Sequence, residues 1–282
     1  MKTLANIGKN IGVICLAILV LIIGSIAGGV LKLALQGYYL KLIIPCLVRI
    51  ILTMVLAWAV SKYILKIEAD ELGIKPKKMS IGVILIAVIM PILVLLFYAF
   101  VLPCKPYVAR EGELVKSIIT AIFSVGISAG FTEEVVFRGI IFRYMKKTLG
   151  VKIAVIAPAV LFAAVHITNM SEFNITDVVL LLLAGSGVAI LFTMMALKLD
   201  SLYPGILAHS LWNIFIIGGI FGVGDIVNGN ANESYIILPI QSASKLLTGG
   251  NFGIEAALPG IVAYFTFSMI LLLSLGSKNK NK

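Results

Sequence analysis

Charge is scarce in this chain. Asp, Glu, Lys and Arg make up 13% of its 282 residues, about half the share usual in soluble domains, which excludes an ordinary soluble globule. The few charges gather between long apolar runs instead of lining one face of each. Histidine is scarcer still: the chain has two, His166 and His209, and both fall inside apolar runs. The three cysteines, Cys15, Cys46 and Cys104, have no metal-ligand spacing. The first two sit in apolar segments, where a thiol behaves as a small hydrophobe and says little about redox compartment. There is no internal repeat, no second domain and no low-complexity tract beyond a short Lys-Asn tail.

Hydrocarbon fills the gap: 60% of residues are hydrophobic and mean hydropathy is +1.10. Counting about 20 apolar residues per crossing gives spans near 11–35, 40–61, 80–102, 117–142, 152–167, 176–198, 202–222 and 255–276. The expected fold is all-α, a polytopic membrane bundle of about eight transmembrane helices in a single integral membrane domain over 1–282. The first run is too long for a signal-peptide core and lacks a clear cleavage site, so it reads as a retained anchor.

The net charge of +10 comes from lysines beside apolar segments, without aromatic interleaving. That favours a lipid bilayer as partner over nucleic acid. Fifteen basic residues fall in the N-terminus, the 62–78 loop, the 143–152 turn, Lys198 and the C-terminus, against five in the alternate loops (Lys41, Lys105, Arg110, Lys116 and Lys245). This asymmetry places both termini in the cytoplasm, and a plasma membrane is the expected location. The one long loop, Gly222 to Gly253, is rich in Gly, Asn and Ser, and its Tyr235–Ile240 patch suits the membrane surface.

Within the fourth span, Glu133, Glu134 and Arg138 place three ionisable groups in apolar helix, where each costs roughly 2.5–3.5 kcal/mol on insertion scales. Glu134 and Arg138 are four apart and share a helical face, so they can pair. Glu133 points about 100° away and has no opposite charge at helical spacing. The plainer alternative is an interfacial cluster that only caps a span. The histidines argue against it: His166 closes Phe162-Ala163-Ala164-Val165-His166, and His209 opens His209-Ser210-Leu211-Trp212-Asn213.

Spans four and five turn near Leu149 and Gly150, and Glu133 and His166 each lie sixteen residues from that turn. Equal helical arms bring them to one depth. On span seven, His209 lies about 12 Å and Asn213 about 18 Å from Ser201 at 1.5 Å per residue. A carboxylate, two imidazoles and a carboxamide at one level suit water activation. Glu133 is the candidate general base, with His166 sharing the water and His209 and Asn213 donating to an oxyanion. The reaction indicated is amide-bond hydrolysis inside a membrane.

The motifs Glu-Glu-x-x-x-Arg at 133–138, Phe-x-x-x-His at 162–166 and His-x-x-x-Asn at 209–213 resemble those of the CPBP intramembrane proteases. That family is also called Abi or CAAX amino-terminal protease, and it includes type II CAAX prenyl endopeptidases and bacterial proteins linked to bacteriocin processing and self-immunity. All three motifs occur in order and without departure, over a core of 117–222. The resemblance implies an intramembrane endopeptidase acting on a peptide or protein substrate in the membrane, prenylated or carrying a leader. It implies Glu133, His166, His209 and Asn213 as the catalytic set, with Glu134 and Arg138 in support.

No cofactor is required by that reading. A zinc form, with Glu133, His166 and His209 as ligands, stays open, although no His-Glu-x-x-His helix presets two of them. Arg49, midway along span two, is expected to have a structural neutralising partner. Phe137, Phe162 and Trp212 are expected to be packing residues, and Glu172 and Asp177 solvated. A proton-coupled transporter would show inverted repeats and broken helices, which the sequence lacks. A non-catalytic membrane scaffold or immunity partner would tolerate Glu133→Ala.

Overall fold

Six helices are long and apolar enough to cross a membrane: α1 (Lys2–Ala34), α2 (Leu40–Leu65), α3 (Ile81–Val101), α4 (Leu114–Leu149), α5 (Val151–Asn169) and α6 (Ile175–Leu199). The computed structural model describes residues 2–74, 77–102, 105–170, 172–224, 234–240 and 244–280. Of two further apolar helices, α7 (Tyr203–Ile217) falls short of a full crossing, and α8 (Leu258–Lys280) runs 23 residues and is apolar over Leu258–Ser274. The chain is thus an all-α polytopic bundle, but six spans by length, not eight, are present among the described residues. Part of the difference lies in α7: apolar content alone does not reveal that a helix stops after 15 residues.

The α4–α5 hairpin turns where expected, with helix ending at Leu149 and resuming at Val151. Gly150 between them has φ +83°, a conformation that L side chains rarely adopt. Helix α4 is not uniform. It carries π-helical turns at Ala121–Gly126 and Val135–Ile141, and another occupies Asn213–Ile217 in α7. Such turns often mark functional sites in helices, and here two of them begin beside Glu134 and at Asn213.

Helix α6 is the centre of the bundle, with 67% of its apolar window buried against 28% for α1, α2, α4 and α5. It carries no Lys, Arg, Asp or Glu between Val178 and Leu197, as a helix enclosed by others requires. Outer helices present large side chains outward, among them Leu33, Ile51, Ile81 and Phe100. That is the surface a hydrocarbon solvent covers.

The connections hold more structure than their composition suggests. β1 (Tyr107–Val108), β2 (Phe221–Gly224) and β3 (Ile236–Pro239) form a sheet in the order β1-β3-β2, with β3 antiparallel to β1 and parallel to β2. The Tyr235–Ile240 patch therefore pairs with strands, and Ile237, Leu238 and Ile240 are buried in the fold. Asp177, expected in solvent, is also buried. Its carboxylate pairs with Lys245 Nζ at 2.8 Å and accepts from the Asn251 backbone N–H at 3.2 Å. The ion pair ties the start of α6 to the segment before α8, a long-range contact invisible to local spacing. Glu172 is exposed, as expected. Cys104 and Pro76 lie outside the described residues.

Candidate active site

Helices α4, α5 and α7, with the turn before α8, enclose a cavity of about 300 Å³ lined by Glu133, His166, His209 and Asn213. The cavity thus brings all four candidate catalytic residues together.

Each side chain is held differently. The carboxylate of Glu134 is fully buried and accepts from Arg138 Nη1 at 2.7 Å and from His209 Nδ1 at 3.1 Å. Arg138 completes its hydrogen bonding with the Ala189 carbonyl at 3.0 Å and Thr193 Oγ1 at 3.4 Å, both on α6. Its guanidinium lies 5.1 Å from the Phe162 ring centre and 5.5 Å from that of Phe192, within the range of cation–π attraction. The charge is thus enclosed by acceptors and π faces, which is what a buried cation needs.

His209 is clamped by this group. Its ring stacks on Phe192 at 5.1 Å and 25°, Nδ1 meets Glu134, and Nε2 lies 3.8 Å from Glu133 Oε2. With hydrogen on both nitrogens the ring donates to Glu134 and presents Nε2–H toward Glu133 and the cavity. His166 donates Nδ1–H to the Phe162 carbonyl at 2.7 Å, because a carbonyl only accepts. Its Nε2 lone pair is then the free one. Asn213 Nδ2 donates to the Val125 carbonyl at 3.2 Å, leaving its second amide hydrogen and its carbonyl oxygen for other partners. Phe162 and Trp212 are buried core residues, as expected, and also line the cavity. Phe137 is buried edge-on against Phe162 at 5.1 Å.

Close helix approach makes this possible. A Cβ on Gly205 of α7 would lie 2.6 Å from Glu134 Oε2, and one on Gly130 of α4 would meet Ser210 Oγ and approach the Ser210 backbone N at 3.0 Å. Gly205→Ala is expected to cost about 1–3 kcal/mol by overpacking. Thermal unfolding in detergent measures the loss, and it should be accompanied by weaker activity because the displaced carboxylate is the one that holds His209.

Glu255 escaped the sequence reading. It sits in the 3₁₀ turn Ile254–Ala256, lines the same cavity as Glu133, and its backbone carbonyl accepts from Tyr264 Oη at 3.2 Å. Burial pushes its carboxyl up to about 8, and the Glu133 charge adds to the rise. The signal available was that it is the last acid in the chain.

Among the described residues, no group of three or more His, Cys, Asp or Glu side chains is set to hold a metal ion. Both histidines commit Nδ1 to a protein acceptor, as a metal ligand also would, so it is the grouping of the side chains that decides. The Glu133, His166 and His209 set does not fit a zinc site in this arrangement, and no step is routed through one.

Residues 115–215 match a family model described as Type II CAAX prenyl endopeptidase Rce1-like. That segment is Rce1-like. The match covers about a third of the chain and contains Glu133, Glu134, Arg138, His166, His209 and Asn213, while Glu255 lies beyond it. It supports, in general terms, a CAAX-type intramembrane endopeptidase embedded in a lipid bilayer. Neither the curated proteins nor the solved structures returned a match.

Proposed function

We propose that this protein is an intramembrane endopeptidase that cleaves a peptide bond of a membrane-associated substrate, prenylated or carrying a leader, with water as nucleophile. The observation that carries the reading is one enclosed, partly polar cavity shared by Glu133, His166, His209 and Asn213. In this reaction Glu133 removes a proton from water, which His166 Nε2 also holds, and the water oxygen adds to the scissile carbonyl carbon. The carbonyl oxygen becomes an oxyanion, accepting from His209 Nε2–H and the Asn213 amide. As the C–N bond breaks, the leaving nitrogen takes a proton from Glu255, which holds one at neutral pH. The proton that Glu133 gained then restores Glu255 through solvent. Glu134 and Arg138 touch no reacting atom. They orient His209.

The test is cleavage of a peptide library by purified protein in bilayers, comparing the native chain, Asn213→Ala and chelator-treated samples. Asn213→Ala is expected to lower kcat about 10²- to 10³-fold, the usual cost of one oxyanion donor. Chelator should leave the rate unchanged. Absence of cleavage by the native chain across prenylated and unmodified peptides would overturn the peptidase reading.

Glu255 predicts a pH signature. Its acid form is lost as pH rises through about 8, so the native rate should fall there, and Glu255→Gln should remove that alkaline limb while lowering the plateau. Stability follows the same sign. The folded chain holds this proton up to about 8 against an ordinary value of 4.5, so this group weakens folding progressively across that interval. Unfolding of Glu255→Gln should lose that component of the pH dependence.

A further inference from the structure

A second, half-open space lies away from the candidate active site, between α1, α2 and α4. It has a volume of about 210 Å³, and its lining includes Lys32, Lys41 and Arg49 but no acid. Lys32 is near the end of α1 and Lys41 near the start of α2, while Arg49 lies eight residues farther along α2, about 12 Å deeper at 1.5 Å per residue. Among the described residues none of the three has a carboxylate partner. Arg49 Nε is buried without any hydrogen-bond acceptor. The neutralising partner expected for Arg49 is therefore missing, and Glu134, the other candidate, is committed to Arg138 and His209.

The neighbouring cavity sharpens the contrast. It too is lined by cations, Arg110 and Lys116, but there Glu113 pairs with both, at 3.8 and 3.1 Å. In the α1–α2 space no described residue supplies the counter-charge. A guanidinium within a membrane span is costly unless paired, and its planar fork of donors fits the oxygens of a phosphate. Hydroxyls of Ser124 and Ser128 complete a polar lining. Large apolar side chains exposed on the flanking helices, Ile26 and Leu33 on α1 and Leu47 on α2, would run beside acyl chains.

We infer that the α1–α2 space binds a phosphate oxyanion, carried by an anionic membrane lipid whose headgroup enters between Lys32 and Lys41 and whose charge Arg49 neutralises. This site is independent of the peptidase reading, because it shares no residue with that cavity.

The full chain in detergent is titrated with phosphatidylglycerol, phosphatidylcholine or inorganic phosphate, and thermal unfolding and lipid retention in native mass spectrometry are recorded. The native chain is expected to retain phosphatidylglycerol at least tenfold over phosphatidylcholine and to unfold at a higher temperature with it. Arg49→Gln should abolish both preferences, and Arg49→Lys should keep part of them. A Gln variant that folds normally without lipid yet gains nothing from phosphatidylglycerol separates lost binding from lost folding. Stabilisation by inorganic phosphate alone, equal to that by the lipid, would keep the oxyanion site and overturn the lipid as its source. Equal retention of both lipids by native and Gln chains would overturn the site.

Discussion

Glu133→Gln should abolish measurable proteolysis, lowering kcat by about 10²- to 10⁴-fold, while thermal unfolding and expression remain those of the native chain. The reason is the separation of duties between two adjacent acids. Glu134 is fully buried and bonded to both Arg138 and His209. Glu133 keeps partial exposure to the cavity, with His209 Nε2 at 3.8 Å from its carboxylate. Replacing its carboxylate with an amide preserves shape and hydrogen bonding but removes the proton acceptor. A scaffold that retains these residues for stability alone predicts the reverse, a change in unfolding and none in phenotype. Measuring both quantities on one preparation decides between them.

Arg138→Met should be the most destabilising single change, costing about 3–5 kcal/mol, because it strands a buried carboxylate. Glu134 would keep His209 but lose the cation that balances it, and the Ala189 carbonyl would lose a donor. The double variant Glu134→Leu with Arg138→Met removes both charges and should recover much of that stability, since apolar replacement of a buried pair is often tolerated. Activity should not return with it. His209 Nδ1 would have no acceptor, and the ring would no longer be oriented toward Glu133. Denaturation in detergent gives the first quantity and peptide cleavage the second. Recovery of both together would mean that Glu134 and Arg138 do not position His209.

Several features were legible in the sequence because they depend on local spacing. The Glu134–Arg138 contact follows from residues four apart on a helix, and the α4–α5 turn from a glycine between two apolar arms. The shared depth of Glu133 and His166 follows from equal arm lengths. Others depend on distant partners. Asp177 looked solvated beside a turn, yet Lys245, 68 positions later, buries it in an ion pair. Arg49 looked paired because its cost demanded a partner, but that cost alone does not say the partner belongs to the protein.

From the sequence alone followed an all-helical membrane bundle and the four polar residues that line its cavity, because hydropathy and helical period are local properties of the chain. The tertiary structure alone decided that α7 stops short of a full span. It also decided that His209 is gripped by Glu134, that Glu255 enters the cavity from beyond the motif-bearing segment, and that three cations share an acid-free space. Each of these depends on which surfaces meet when helices pack, and charge, burial and hydrogen bonding at such meetings are set by neighbours that sequence distance does not reveal.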